Sequence, residues 1–201
     1  MALDILSRDI DAFFPLIERA MEGREMVRKD VSLKVDGFTV TGSVESLGGT
    51  GLLSFRYAKM TSSDLMRAWL ALLLLQATHP GERVTALHIH SQGMTRLGAV
   101  EDPLTMLRKL LDVYWQGLCK AVHFFPKSSL AYAETMKKHG RDERAMQEAR
   151  KTWEGSMYLS GEAKDPSLLI CFPRTDPLDG EFRETAMAVY GPILDAVEAG
   201  A

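Results

Sequence analysis

The chain has little sulfur, no strong charge of either sign and no long hydrophobic run, and each shortage narrows what it can be. Its two cysteines, Cys119 and Cys171, lie far apart without a CxxC pair or histidine-rich company. That excludes a disulfide framework and a cysteine-built zinc site, and leaves free thiols of a cytoplasmic protein as the expectation. The formal net charge of −3 gives no global signal for nucleic acid or an anionic membrane, so any basic face has to be local. The longest apolar run, Ala68 to Leu75, is too short to span a bilayer. The N-terminus shows no charged stretch followed by an apolar one, and no secretory signal is read there. Phosphate-binding loops of the Gly-x-x-x-x-Gly-Lys-Ser/Thr kind are absent, as are a nucleophile elbow and a carboxylate pair placed for acid–base work. Gly48-Gly49-Thr50-Gly51 joins two strands instead of opening a helix, which makes it a hairpin turn and not a phosphate cradle.

What is present is ordinary for a globular chain: 201 residues, 46% apolar and 25% charged, enough for one core and one domain over residues 1–201. Ile5, Leu6, Ile10, Phe13, Phe14, Ile17 and Met21 recur at helical spacing, with Pro15 predicting a kink or a break. Val31, Leu33 and Val35 alternate as in a half-buried strand, Asp36-Gly37 is a two-residue hairpin turn, and Phe38 to Val44 returns. Leu52 to Tyr57 is a third strand, giving an antiparallel meander. Thr61 and Asp64 form a capping box for a helix over 63–77 that is apolar on most faces and so belongs in the core. His79-Pro80-Gly81 ends it, and Val84 to His90 is a further strand. Asp102-Pro103 starts a helix over 104–118. Phe124-Phe125 is expected to anchor a core before an exposed turn at Pro126 to Ser129, the alternative being a stacking or partner-binding platform. Helices follow over 130–138 and 141–153, the latter a solvated charged face. Leu168 to Phe172 reads as an edge strand, and Phe182 to Val197 as a last amphipathic helix. The fold class is α+β.

Of the five histidines, His88 and His90 share one strand face without a cysteine or carboxylate nearby in sequence. A polar strand face is therefore expected, and no metal site, which needs three or four ligands. The order helix, three antiparallel strands, helix, strand resembles magnesium-dependent nucleases of the PD-(D/E)XK type. Those place an Asp on the second strand and an Asp/Glu-x-Lys on the third, the carboxylates holding Mg²⁺ and the lysine activating water. This chain has Glu45 in Gly42-Ser43-Val44-Glu45, then Ser54-Phe55-Arg56 at the second motif. A serine hydroxyl is a poor magnesium ligand, and arginine stays protonated. The resemblance thus implies a nuclease-like core with a degenerate active site at Glu45, Ser54 and Arg56, with additional C-terminal helices.

The likeness extends further. Gly42 to Met60, Met66-Arg67-Ala68-Trp69-Leu70, Tyr114-Trp115-Gln116-Gly117-Leu118, Phe125-Pro126-Lys127-Ser128, and Ala149-Arg150 through Trp153-Glu154-Gly155 to Gly161-Glu162 follow one another as in the C-terminal region of RecC, the gamma chain of exodeoxyribonuclease V. From about Asp30 onward the chain resembles that region, and is read as the C-terminal fragment of a longer one. The resemblance implies RecB and RecD as partners, DNA as a duplex end or displaced strands, no membrane, and a role in double-strand-break repair. It implies no cofactor for this domain, with Mg and ATP used by the parent complex. Arg56, Lys59, Arg67, Arg96 and Lys127 are the candidates for phosphate contact, since arginine matches phosphate geometry and backbone charge dominates DNA affinity; ordinary solvated charges are the alternative. Three readings stay open: a non-catalytic strand-guiding and scaffolding domain, an active Mg²⁺ nuclease, and a protein-interaction domain without DNA contact.

Overall fold

The computed structural model describes residues 2–48, 51–173 and 176–198, and within the first helix the side chains from Ile10 onward. The side chains of Ile5 and Leu6 and the turn residues Gly49 and Thr50 lie outside that set. The described residues form an α+β structure with one five-stranded mixed sheet and seven α-helices. Backbone contacts divide the chain into two compact units, one ending at Leu107 and regaining the chain from Ala196, the other running from Arg108 to Asp195.

The first unit holds the sheet, in the order β1-β2-β3-β4-β5. Strands β1 (Met26–Val35) and β2 (Phe38–Leu47) pair antiparallel along their whole length, from Met26↔Leu47 to Val35↔Phe38. The turn between them has Asp36 at φ 46 and Gly37 at φ 87, the left-handed pair that matches the twist of a two-residue hairpin. Strand β3 (Gly51–Arg56) meets β2 only at Leu47↔Gly51, so the expected three-stranded meander is a long hairpin with a barely attached third strand. Instead, β3 pairs parallel with β4 (Thr85–His90), from Gly51↔Thr85 to Arg56↔His90. Parallel neighbours need a crossover, and α2 (Ser62–Thr78) provides it. A short strand that sequence reading passed over, β5 (Gly93–Leu97), closes the order antiparallel to β4.

The capping box of α2 is present in full: Thr61 Oγ1 accepts from the Asp64 N–H at 3.2 Å, and the Asp64 carboxylate accepts from the Thr61 N–H at 2.9 Å. Leu65, Trp69, Leu72, Leu73 and Leu75 of this helix are buried, and α2 packs on β1, β3 and β4. The other sheet face is covered by α1 (Ala2–Met21), whose Phe13 and Ile17 join Leu47, Leu53 and Ile89 in one cluster. Helix α1 runs unbroken through Pro15. Both Pro15 and Asp11, whose carbonyl loses its helical donor, are exposed, so water can serve that carbonyl and no break is forced. The polar side of β4, with His88 and His90, is not open to solvent throughout: His88 is buried, as are Ala86 on the same face and Ile89 on the opposite one.

The second unit is helical. It takes the later part of α3 (Pro103–Cys119), whose cap has the Thr105 N–H donating to Asp102 Oδ1 at 3.0 Å. Next come α4 (Pro126–His139), α5 (Asp142–Glu154), α6 (Pro166–Cys171) and most of α7 (Gly180–Ala196). Phe125 is fully buried, with ring centroids 4.5 Å from Trp153, 5.4 Å from Phe172 and 6.0 Å from Phe182. The core-anchor expectation holds for Phe125, whereas Phe124 is half-buried and stacks on Tyr190. The turn after it is not exposed throughout. Ser128 and Ser129 are buried, because the Glu162 carboxylate reaches in and accepts from the Lys127 N–H at 3.0 Å and the Ser128 N–H at 2.7 Å. In α5 only Ala145 and Ala149 are buried, leaving a solvated charged face as read. The expected edge strand at Leu168 to Phe172 is α6, a helical turn with Asp165 accepting from the Ser167 N–H at 2.8 Å and Pro166 in the first turn. An Asp-Pro start outweighed the short apolar run.

Candidate functional site

The polar residues that sequence reading singled out gather, in part, where β3 runs into α2. Side chains alternate along β3. Leu53 joins the α1 cluster with Leu87 and Ile89, whereas Ser54 and Arg56 face α2 with their strand partners His88 and His90. Ser54 Oγ and His88 Nδ1 are hydrogen-bonded at 2.8 Å across the parallel pair. The Arg56 guanidinium donates from Nη2 to Asp64 Oδ2 and to the Lys59 carbonyl, the latter at 2.9 Å. Asp64 also accepts from Thr61 Oγ1 at 2.7 Å. One buried carboxylate therefore ties the end of β3, the 57–61 loop and the start of α2 together. Burial pushes the Asp64 carboxyl up, but hydrogen bonds from Arg56 and Thr61 outweigh it and hold its pKa at about 2.

Glu45 is not part of this corner. Residues opposite each other in an antiparallel pair share a face, so Leu47↔Gly51 puts Glu45, two residues before Leu47, on the α1 side. Ser54 and Arg56 lie on the other. Glu45 is exposed, and its strand partner across the hairpin is Arg28. The β2 residues that share the α2 face are Phe38, Val40, Gly42, Val44 and Ser46, none of them acidic. Among the described residues no group of three or more His, Cys, Asp or Glu is placed to hold a metal ion.

The cation candidates separate as well. Arg56 is 44% exposed, but its charge is spent on Asp64. Lys59 is exposed, as is Arg67, one turn beyond Asp64 on α2. Arg96, on β5, faces Glu198 at 3.7 Å. Lys127 belongs to the second unit, where its N–H helps seat Glu162. Sequence reading identified Asp64 as a helix cap but missed it as the counter-ion of Arg56. A strand-terminal arginine followed by a capping-box acid was the available signal.

A cleft of about 200 Å³ opens nearby in the first unit, lined by Ala12, Phe13, Leu16, Tyr57, His90 and Ser91 among others. It lies at the carboxyl ends of the parallel strands, with no lysine or arginine among its described lining residues.

Acid should weaken this unit in two steps. Burial holds His88 below its ordinary pKa, against the pull of Asp64 and with help from His90 and Arg56. As pH falls through about 6.5 the unfolded chain takes up a proton that the folded chain refuses, and stability drops. Asp64, depressed from 3.8 to about 2, adds a second loss as pH falls through that interval. Denaturation across a pH series is expected to show stability highest above about pH 7, and His88→Gln should flatten the upper step. An unchanged upper step in that variant would assign it to another group.

The RecC C-terminal domain family matches residues 1–137 of the chain. Against the RecBCD enzyme subunit RecC of Mycobacterium tuberculosis the chain is 27% identical over 139 residues, covering 66% of this chain and 12% of that protein. For the RecC subunit of Mycolicibacterium smegmatis the identity is 31% over 104 residues, covering 49% of this chain and 10% of that protein. For the RecC subunit of Escherichia coli it is 26% over 147 residues, covering 68% and 13%. The chain thus spans about an eighth or less of the length of these curated relatives.

Proposed function

Since this chain belongs to the RecC C-terminal domain family, we propose that it serves as a non-catalytic, nuclease-like domain of a RecC-type subunit. In that role it guides DNA strands and helps hold RecB and RecD in the helicase and exonuclease that processes double-strand breaks. The observation that carries the non-catalytic reading is the dispersal of the nuclease positions. Glu45 lies across the sheet from Ser54 and Arg56, and the guanidinium standing where a nuclease has lysine is bound to Asp64. The element order supports the nuclease-like reading: α1, the β1–β3 strands, α2, then β4. Mg²⁺ and ATP belong, on this reading, to the parent complex.

Lys59, in the loop after Arg56, and Arg67, one turn beyond Asp64 on α2, are exposed and are the phosphate contacts of the first unit. Arg56 and Arg96 contribute less, each being paired with an acid, and Lys127, whose ammonium is exposed in the second unit, is a further candidate. Forked DNA is expected to bind weakly at low salt without being cut, with or without Mg²⁺. Each of Lys59→Ala and Arg67→Ala should lower the slope of log affinity against log salt by about 0.7 to 0.9. Metal-dependent cleavage abolished by Glu45→Ala would overturn the non-catalytic reading.

The scaffolding half rests on apolar side chains that the chain leaves in water. Met157 is 91% and Tyr158 90% exposed, with Leu159 and Ile170 also outward in the second unit, and exposed apolar groups of this size mark interaction surfaces. Capture of RecB and RecD from the same organism should be weakened by Met157→Ser with Tyr158→Ser. Undiminished capture would remove that surface from the proposal.

A further inference from the structure

The α4–α5 corner of the second unit carries three exposed cations that form no close ion pair among the described residues. Helix α4 ends in Lys137, Lys138 and His139, and Gly140, at φ 63, turns the chain into α5 with Arg141 as its N-cap. Lys138, Arg141 and Arg144 are exposed, and none has an ion pair among the described residues. Other cations of the unit do: Lys137 with Asp195, Arg150 with Asp176, Lys151 with Glu148, and Arg183 with Asp142. Two of the acids at hand are already engaged, although Glu148 also feels the charge of Arg144. Asp142 accepts from Tyr132 Oη at 2.7 Å and faces Arg183 at 3.3 Å, and Glu148 is held by Lys151 at 2.7 Å. Glu143, in the first turn of α5, and Glu134, one turn before Lys138 on α4, are the acids left without an ion pair there among the described residues. The three cations are brought together by the tight Gly140 turn between α4 and α5, and desolvation, followed by the charges of Arg144, Lys138 and Arg141, depresses the pKa of His139.

Like charges gathered this way cost stability unless an anion arrives. We infer that the corner formed by Lys138, Arg141 and Arg144 is a contact site for a nucleic-acid phosphate backbone. Arginine presents a fork that matches phosphate oxygens. The corner also has no large exposed apolar side chain, the kind of anchor on which protein partners place most of their binding energy. Phosphate contact needs none. The corner lies beyond the stretch matched by the family and belongs to the second unit, whereas Lys59 and Arg67 belong to the first. The inference rests on the strand-guiding reading above and adds a second point of contact to it.

The test is fluorescence anisotropy of a labelled single-stranded DNA oligonucleotide with the full 201-residue chain, over about 50 to 200 mM salt. The triple variant Lys138→Gln, Arg141→Gln, Arg144→Gln is expected to bind about tenfold more weakly at the low-salt end, with a salt slope smaller by about 2. A charge-conserving variant, Arg141→Lys with Arg144→Lys, should keep the slope and melt like the parent, and the triple variant should melt no lower, since it only relieves repulsion between exposed side chains. An unchanged slope in the triple variant, alongside a reduced one in Lys59→Ala with Arg67→Ala, overturns this inference and leaves strand guidance standing. No binding by the parent chain overturns both. Displacement of the DNA by polyglutamate at equal charge concentration overturns the nucleic-acid assignment in favour of an acidic protein.

Discussion

Arg56→Ala is expected to lower the unfolding free energy of the first unit by about 2 kcal/mol, well above the usual effect of an exposed arginine. The reason is the partner left behind. The Asp64 side chain is only 8% exposed, and without the guanidinium its charge keeps just the Thr61 hydrogen bonds. Removing one member of a fully buried pair costs about 3 to 5 kcal/mol. The Arg56 side chain is 44% exposed, so water makes up part of the loss and the figure is reduced accordingly. Adding Asp64→Asn should recover more than half of it, since the unpaired charge is then gone. Urea denaturation followed by Trp69 fluorescence, with Trp115 and Trp153 changed to phenylalanine, isolates the first unit. Additive effects of the two substitutions would mean that the pair is not coupled.

Gly161→Ala is expected to destabilise the second unit by about 3 kcal/mol, the upper end of the range for overpacking. A Cβ at Gly161 would lie 2.2 Å from the Trp153 carbonyl oxygen and 2.3 Å from the Glu154 carbonyl carbon. These are backbone atoms, and no rotamer change moves them. The opposing Gly155 has φ 78 and would place its Cβ 2.2 Å from the Gly161 nitrogen, so the two glycines form one close backbone crossing beneath Met157 and Tyr158. Gly140→Ala makes the comparison. It has φ 63 but nothing within 4 Å of a Cβ, and should cost about 1 kcal/mol from left-handed strain alone. Thermal unfolding of the three chains gives the order; a Gly161→Ala chain as stable as Gly140→Ala would show that the crossing opens freely.

What could be read from the sequence was local. Asp36-Gly37 specifies its hairpin through backbone conformation, Thr61 and Asp64 specify a helix start, and the apolar run through Trp69 can only be interior. What could not be read depended on pairing between distant segments. Leu52 to Tyr57 has the same composition whether its neighbour runs parallel or antiparallel, so the parallel partnership with β4 left no trace in it. The face on which Glu45 lies follows from a single register pair, Leu47↔Gly51, and a shift of one residue would have reversed it. His88 was read as polar because its residue type is, yet its burial comes from α2, a helix contributed by another part of the chain. Arg56 was read as a phosphate contact from its motif position, and its counter-ion eight residues on became visible only once α2 folded back over β3.

The near-absence of pairing between β2 and β3 has a consequence for how the first unit breathes. From Phe38 to Ser46, β2 bonds to β1 alone among the described strands, and β1 is itself the outermost strand. The hairpin is therefore a two-stranded ribbon pinned by α2 on one face, and such ribbons are marginal without further support. Its amide protons at Val40 and Gly42, bonded to β1 alone, should exchange with solvent through local fraying, while the β3 and β4 amides locked in the parallel pair exchange only when the unit unfolds. Native-state hydrogen exchange would then resolve the sheet into two cooperative blocks divided at Leu47, with the ribbon as the part able to deform first when a partner or a strand presses on it.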